Sequence, residues 1–306
     1  MATILERLPS GARVAVIRLR SLGDCVLTTP ALELLKRSRP DLKVIVVVEE
    51  RFKPIFEGNP DLDGLLAPSL RELAGWRPDL CLNLHGGTRS LILTRLSGAR
   101  FRAGFAHHWY SRLYNVLIPR AQQILGVSRK VHTAEHLASA MFYLGAGKGE
   151  VPRARLFVTQ AEPPAPRAPY AVLHPVASAP SKTWPADRFL ELAARLRDTW
   201  RIEPVFIAGA GEDVSAFGAY RTVLGAPLSQ LKSLLAGAAV FIGNDSGPAH
   251  MAAAFQVPSV VVFGASDPEV WAPWKSASEV LIARGDIGGI AVSEALAALD
   301  RLRVAA

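Results

Sequence analysis

An α/β fold in two domains, each built on a mostly parallel sheet, is what this sequence predicts. Three observations predict it. Short apolar runs alternate with stretches of helical periodicity from residue 13 onward. The alternation halts at residues 160–169 (QAEPPAPRAP), which hold four prolines in ten residues, and then begins again. The length of 306 residues also suits two independent cores, at about 100–200 residues per domain. The expected division is residues 1–160, a stiff linker at 161–169, and residues 170–306.

Each element has its own signal. Residues 13–18 (RVAVIR) form a short apolar run with β-branched side chains, bounded by Gly11 and the SLGD turn, and read as a buried first strand. A helix is predicted from Pro30 (PALELLKRSR), because proline suits a helix start. Residues 43–48 (KVIVVV) are almost wholly apolar, as a parallel strand covered on both faces must be. Residues 79–84 (DLCLNL) give a further strand that ends at His85-Gly86-Gly87. Residues 131–144 predict an amphipathic helix stopped by Gly145.

Beyond the prolines, residues 170–174 read as a strand and 186–200 as a helix behind Pro185. A strand at 204–208 runs into Gly209-Ala210-Gly211. A helix at 228–236, a strand at 239–243, a short helix at 248–255 and a strand at 259–263 follow. The tail, 292–302, is a last amphipathic helix with the option of packing back on the first domain. Two such alternations predict Rossmann-like domains facing a cleft, with ligands at the carboxyl ends of the strands.

Composition narrows the function classes. Cys25 and Cys81 belong to no CxxC-type pair, which argues against a disulfide framework or structural zinc and for a reducing compartment. The first residues lack the charged-then-apolar order of a secretion signal. No apolar run approaches the ~18 residues of a membrane span. A cytoplasmic protein is expected, peripheral to a membrane at most. Residues 1–166 carry 23 Lys and Arg against 14 Asp and Glu, whereas residues 167–306 carry 12 against 13. Such asymmetry draws an anionic partner to the first domain, unless the arginines serve only solubility. The basic residues form no dense run with interleaved aromatics, which argues against nucleic acid.

Four segments carry candidate chemistry. In residues 242–254 (IGNDSGPAHMAAA) an apolar strand ends in a polar turn and a helix opens at Pro248. Gly247 lets a ligand approach the backbone, Ser246 and the helix start favour an anion, and Asp245 can accept from sugar hydroxyls. An ordinary capped strand–helix turn is the alternative. In residues 18–31 (RLRSLGDCVLTTPA), Asp24 lies at the end of the first strand, placed to take a proton or to cap a helix. In residues 174–185 (HPVASAPSKTWP), Lys182 can neutralise a β-phosphate or be a plain surface charge, while Trp184 reads as packing. In residues 206–213 (FIAGAGED), Glu212 follows a strand and can hold ribose hydroxyls or face solvent.

The spacing of GAGED is not GxGxxG, and the first turn, RLRSLGD, has one glycine, which argues against a dehydrogenase. His132 and His136 lie four apart, but HTAEH lacks the HExxH order and a third ligand, so both read as structural; His107-His108 shows no partner.

Taken together, these segments resemble glycosyltransferase family 9, the heptosyltransferase-like family of lipopolysaccharide core biosynthesis. RLRSLGDCVLTTPAL resembles its opening motif and LNLHGGTRS its mid-domain strand and loop. HPVASAPSKTWP, LSQLKSLLAGAAVFIGNDSGPAHMAAA and VVFGASDPEVWAPW resemble its second-domain blocks in order. The resemblance implies the GT-B fold and an inverting transfer that needs no metal. It implies Asp24 as general base and Lys182 as a phosphate contact. Asp245, Ser246, Gly247 and His250 fall in the implied donor loop, Glu212 where a ribose-binding acid is expected, and Leu228 where the backbone holds adenine in ADP-heptose users. Val176 and Gln256 stand where glycine is common in the family.

The expected reaction is direct displacement of a nucleoside diphosphate by a hydroxyl of an acidic glycolipid, with ADP-heptose as the donor the resemblance implies and domain closure excluding water. Arg20, Arg51, Lys53, Arg89, Arg102 and Arg120 are the candidate acceptor-binding cations, and membrane contact is expected through charge alone. A transferase with a UDP- or GDP-sugar is the alternative. A non-catalytic nucleotide-sugar binder is another, and Asp24 argues against it.

Overall fold

A computed structural model describes residues 2–159 and 169–302. The chain divides into two compact units between Phe157 and Val158. The expected proline linker lies outside the described residues, except for Pro169.

The first unit runs β1 (Arg13–Ile17), α1 (Leu22–Ser38), β2 (Lys43–Val47), α2 (Lys53–Phe56), β3 (Gly64–Leu66) and α3 (Leu70–Trp76). It continues with β4 (Leu80–Asn83), α4 (Thr88–Leu96), β5 (Phe101–Phe105), β6 (Val116–Ile118), α5 (Ala121–Leu125) and α6 (Thr133–Leu144). Its sheet has the order β3-β2-β1-β4-β5-β6, and all strands are parallel. Val14 to Ile17 of β1 are 0% exposed, as a central strand with helices on both faces requires.

Helix α1 begins eight residues before the predicted start. Ser21 and Asp24 cap it, and Pro30 lies inside. The proline removes one backbone donor. The Val26 carbonyl, four residues earlier, is met instead by the Thr29 hydroxyl at 2.8 Å. A threonine beside the proline thus lets the helix run through, and the helix carries Asp24 in its first turn rather than in a loop. Cys25 and Cys81 are free and buried, and burial pushes both thiols up to about 12.

The second unit runs β7 (Tyr170–His174), α7 (Ala186–Asp198), β8 (Glu203–Ala208), β9 (Arg221–Leu224), α8 (Leu228–Ala236) and β10 (Val240–Asn244). Then come α9 (Gly247–Ala254), β11 (Ser259–Phe263), α10 (Pro268–Trp271), β12 (Ser278–Ile282) and α11 (Val292–Arg301). The sheet order is β12-β11-β10-β7-β8-β9, again all parallel. Each unit therefore has one strand order, the doubly wound order 3-2-1-4-5-6 in its own count. Trp184 is fully buried, edge-on to Phe189 at 5.0 Å, and its indole N–H donates to the Ile290 carbonyl at 3.0 Å. It packs, as the sequence suggests. Helix α11 spends its apolar face inside this unit, against α7, β11 and β12, with Ala295, Ala298 and Leu299 fully buried.

Gln256 has φ +62°, a left-handed conformation in which glycine is unstrained. Its amide nitrogen donates to the Ala253 and Lys275 carbonyls at 2.9 and 3.1 Å, which holds the turn in place of glycine.

Candidate functional site

Because every sheet is parallel, the carboxyl ends of its strands share one edge. The crevice opens where the strand order reverses. That point falls between β1 and β4 in the first unit and between β7 and β10 in the second.

In the first unit, Arg18 follows β1 and is 4% exposed. Its guanidinium Nη1 lies 3.4 Å from Asp24 Oδ1. Asp24 Oδ2 accepts from the Ser21 hydroxyl at 2.8 Å and the Ser21 backbone at 3.4 Å. Burial lowers the Arg18 pKa and the Asp24 charge opposes that shift; an arginine keeps its proton regardless. Arg18 Nε has no partner among the described residues. One Asp24 oxygen is thus held by Ser21, the other meets Arg18 only across a long contact, and 26% of the side chain is open. An acceptor hydroxyl can enter there and pass its proton to Oδ1.

Across the reversal point, Asn83 closes β4 and uses its whole amide. Its Oδ1 accepts from the His85 and Gly86 backbones at 2.9 and 3.0 Å. Its Nδ2 donates to Ser90 Oγ and Tyr114 Oη at 3.1 and 2.9 Å. This fixes the His85-Gly86-Gly87 loop beside Asp24. The His85 pKa is lowered by burial first, then by the Arg18 charge, with Asp24 opposing. His107-His108, without a partner in the sequence, gains several in the fold. The two rings meet at 4.8 Å, His108 lies 5.7 Å from Phe105, and His136 stacks on Phe105 at 4.1 Å. Burial and neighbouring charges push His108 and His136 down to about 4, so both rings are neutral at pH 7. His132 does read as structural: its Nδ1 accepts from the Ala134 backbone and caps α6.

The candidate acceptor cations divide. Arg51 and Lys53 follow β2 and pair with Glu49 and Glu50 at 3.0 and 2.7 Å. Arg89, in the first turn of α4, donates to the Pro68 carbonyl at 3.3 Å. Arg20 and Arg120 are exposed after β1 and β6, and Arg120 is near enough to depress the His107 pKa. All five lie at the Asp24 edge of the sheet. Arg102 does not: within β5 it turns back to the Ala99 carbonyl at 2.8 Å, at the sheet's opposite end.

In the second unit, the loop before α9 lies between β10 and β7. His174 Nδ1 is 2.9 Å from Ser246 Oγ, and Ser246 Oγ is 3.0 Å from the Asn244 carbonyl. A serine has one hydrogen; when it goes to Asn244, His174 donates from Nδ1. Gly243 allows this approach of β10 to β7, since a Cβ there would lie 3.0 Å from the His174 carbonyl. Asn244 Oδ1 accepts the Trp184 backbone N–H at 2.9 Å, while its buried Nδ2 has no partner among the described residues. Gly264 lets the turn holding Lys182 rest on the end of β11, because a Cβ would meet the Ser181 carbonyl at 2.0 Å.

Lys182 Nζ and Asp245 Oδ2 face each other at 3.9 Å, with side chains 33% and 10% exposed. That separation is too long for a hydrogen bond. Burial raises the Asp245 pKa, opposed by Ser266 and Lys182. Helix α9 opens with the Gly247 N–H; Pro248 has none, and that of Ala249 goes to the Ser246 carbonyl at 3.2 Å. His250 is buried in the same helix. Glu212 folds its own loop, accepting from the Gly209 backbone at 2.5 Å. Leu228 opens α8 behind Pro227, half-buried.

His174 gives a pH-dependent prediction. Burial pushes its ring down to about 4, below the ~6.5 of an unfolded chain. The stability tied to the neutral ring is complete above pH 6.5 and is lost as pH falls toward 4. The loss is on the order of 3 kcal/mol. Thermal melts between pH 7 and 4 are expected to fall steeply for the wild type and less steeply for His174→Gln.

The comparisons with known proteins agree with this arrangement. The family described as glycosyltransferase family 9 (heptosyltransferase) matches residues 69–286. The chain belongs to glycosyltransferase family 9. This family member is a glycosyltransferase. Lipopolysaccharide heptosyltransferase 1 of Pseudomonas aeruginosa is 28% identical over 288 residues, covering 84% of this chain and 79% of the relative. Lipopolysaccharide heptosyltransferase 3 of Escherichia coli is 24% identical over 287 residues, covering 84% and 83%. Among solved structures, the family 9 glycosyl transferase of Veillonella parvula superposes with a TM-score of 0.84 at 21% identity, covering 96% of this chain and 97% of that one. The E. coli heptosyltransferase WaaC with ADP superposes at 0.81 and 21% identity, covering 95% and 99%. These likenesses establish the GT-B fold of two Rossmann-like units.

Among the described residues, no group of three or more His, Cys, Asp or Glu is placed to hold a metal ion. No helix among them is long and apolar enough to cross a membrane. Arg18, His85, His174 and Asn244 are site residues that motif spacing did not single out. For Arg18 a signal was present, a charge closing an apolar strand.

Proposed function

We propose that this family 9 enzyme transfers heptose from ADP-heptose, with inversion, to an acidic glycolipid of the lipopolysaccharide-core kind. The observation that carries the reading is that Lys182 faces Asp245 at 3.9 Å, beyond hydrogen-bond reach, beside the α9 start. A cation is left for a diphosphate and a carboxylate for sugar hydroxyls. Relatives named as lipopolysaccharide heptosyltransferases, and a solved neighbour with ADP, support the donor.

In this reading the acceptor hydroxyl gives its proton to Asp24 as its oxygen bonds to the anomeric carbon. The bond to the β-phosphate oxygen breaks, and ADP leaves with the electron pair. Attack opposite the leaving group inverts the anomeric centre. The leaving charge is met by Lys182, Ser246 and the Gly247 N–H rather than by a metal ion. Glu212 and the backbone at Leu228 hold the nucleoside, and His250 backs the donor loop. The basic first unit holds the acceptor's anionic groups through Arg20, Arg51, Lys53, Arg89 and Arg120, at the cytoplasmic face of the inner membrane.

Incubation of the purified protein with ADP-heptose and a core glycolipid tests this. ADP release that depends on the acceptor is the expected result. Turnover with UDP- or GDP-sugars alone would replace the donor, and nucleotide binding without transfer would make the protein a binder.

A further inference from the structure

Residues 80–134 carry eight lysines and arginines and no aspartate or glutamate, a charge equal to the protein's whole formal +8. The turn after β5 lies in the middle of this stretch and exposes apolar surface that none of the described residues of its own unit covers. Trp109 is 84% exposed, Tyr110 65%, Leu113 43% and Leu117, on the edge strand β6, 44%. Trp109 and Tyr110 stand edge-on at 6.2 Å and form one wedge. Tyr110 has φ +59°, in the left-handed region that costs a side-chain residue energy. The turn is nonetheless built: Ser111 and Leu113 donate to the His108 and Tyr110 carbonyls at 3.1 and 3.0 Å.

Its root is fixed to the acceptor edge. His108 lies so close over Gly86 that a Cβ there would sit 2.5 Å from its Nε2. Arg112 and Arg120 are exposed on either side of Leu113 and Leu117 in the chain. Tryptophan and tyrosine favour the boundary between water and hydrocarbon, where an apolar ring and a polar tip are both satisfied. Arginines beside them are drawn to anionic headgroups.

We propose that the turn at residues 108–113, with Leu117, docks the first unit on an anionic lipid surface. The ring wedge enters the headgroup region, so attachment is not by charge alone. The turn's tie to Gly86 then brings the Asp24 edge to the height of a glycolipid's sugars. This last step rests on the acceptor proposed above; the docking itself does not.

Flotation of the full-length protein with vesicles of phosphatidylglycerol and phosphatidylcholine, against phosphatidylcholine alone, tests the proposal. Wild type is expected to float with the anionic vesicles. The double variant Trp109→Ser/Tyr110→Ser should lose binding by ~10-fold or more, and Arg112→Gln by about 5-fold. Brominated acyl chains should quench wild-type tryptophan fluorescence. Unchanged flotation of the double variant, or no quenching, overturns the proposal. So does a concentration-dependent dimer that the double variant abolishes without any effect on vesicles. ADP-induced thermal stabilisation, read on the same variants, reports the donor site independently. Its failure in wild type would remove the ADP-heptose donor reading and leave the docking result standing.

Discussion

Asp24→Asn is expected to lower turnover by roughly 100-fold or more, while ADP binds as in the wild type. Asp24 is a carboxylate in the first turn of α1, with one oxygen held by Ser21 and the other facing Arg18 at 3.4 Å. An amide keeps the shape and can still accept from Ser21, but it cannot take a proton from the acceptor. It also leaves the buried Arg18 guanidinium without the carboxylate it faces, so the melting temperature should fall. The two effects are separable. Lost stability appears in a thermal melt without substrate, and lost chemistry appears in single-turnover transfer at a temperature where the variant is folded. An Asn variant that is folded and turns over at the wild-type rate contradicts the assignment of Asp24.

Lys182→Ala is expected to weaken ADP by roughly 10- to 100-fold, on the scale of a lost charge-assisted hydrogen bond, and to leave adenosine nearly unaffected. The turn carrying Lys182 is set by Gly264 beneath Ser181 and by the Trp184–Asn244 hydrogen bond. Neither depends on the lysine side chain, so the loop should keep its shape. Removing Nζ also leaves Asp245 facing no cation, and its pKa should rise further. Turnover is expected to fall more than donor affinity, because the charge on the leaving diphosphate grows as its bond breaks. Equal losses for ADP and adenosine, measured by calorimetry, would mean that Lys182 shapes the loop instead of meeting phosphate.

Much of the fold was legible because continuous apolar runs mark strands buried on both faces. Residues 170–174, 228–236 and 259–263 carry their elements within the bounds read from sequence. Short or half-exposed strands, β3, β6 and β9 among them, lack that signal. The start of α1 was hidden by Pro30, since nothing local shows that Thr29 would satisfy the carbonyl the proline abandons. Within the site, Asp24 and Asp245 were legible because polar turns ending apolar strands announce themselves. His174 and Ser246 are 72 residues apart, and only the pairing of β7 with β10 joins them. The histidines around Phe105 come from two chain segments, 107–108 and 136, which is why His107-His108 looked solitary. Arg102 looked like its neighbours, and only its position within β5 turns it to the other end of the sheet.

Thermal-shift titration of the wild-type protein with ADP, UDP and GDP is the decisive measurement for an ADP-specific donor site. A ligand that binds only the folded state stabilises it by about 2.7 kcal/mol at one hundred times its dissociation constant. A rise of about 5 °C or more is expected with ADP, a much smaller one with UDP and GDP, and an ADP response kept in Asp24→Asn but reduced in Lys182→Ala. A melting temperature that no nucleotide moves would contradict such a site.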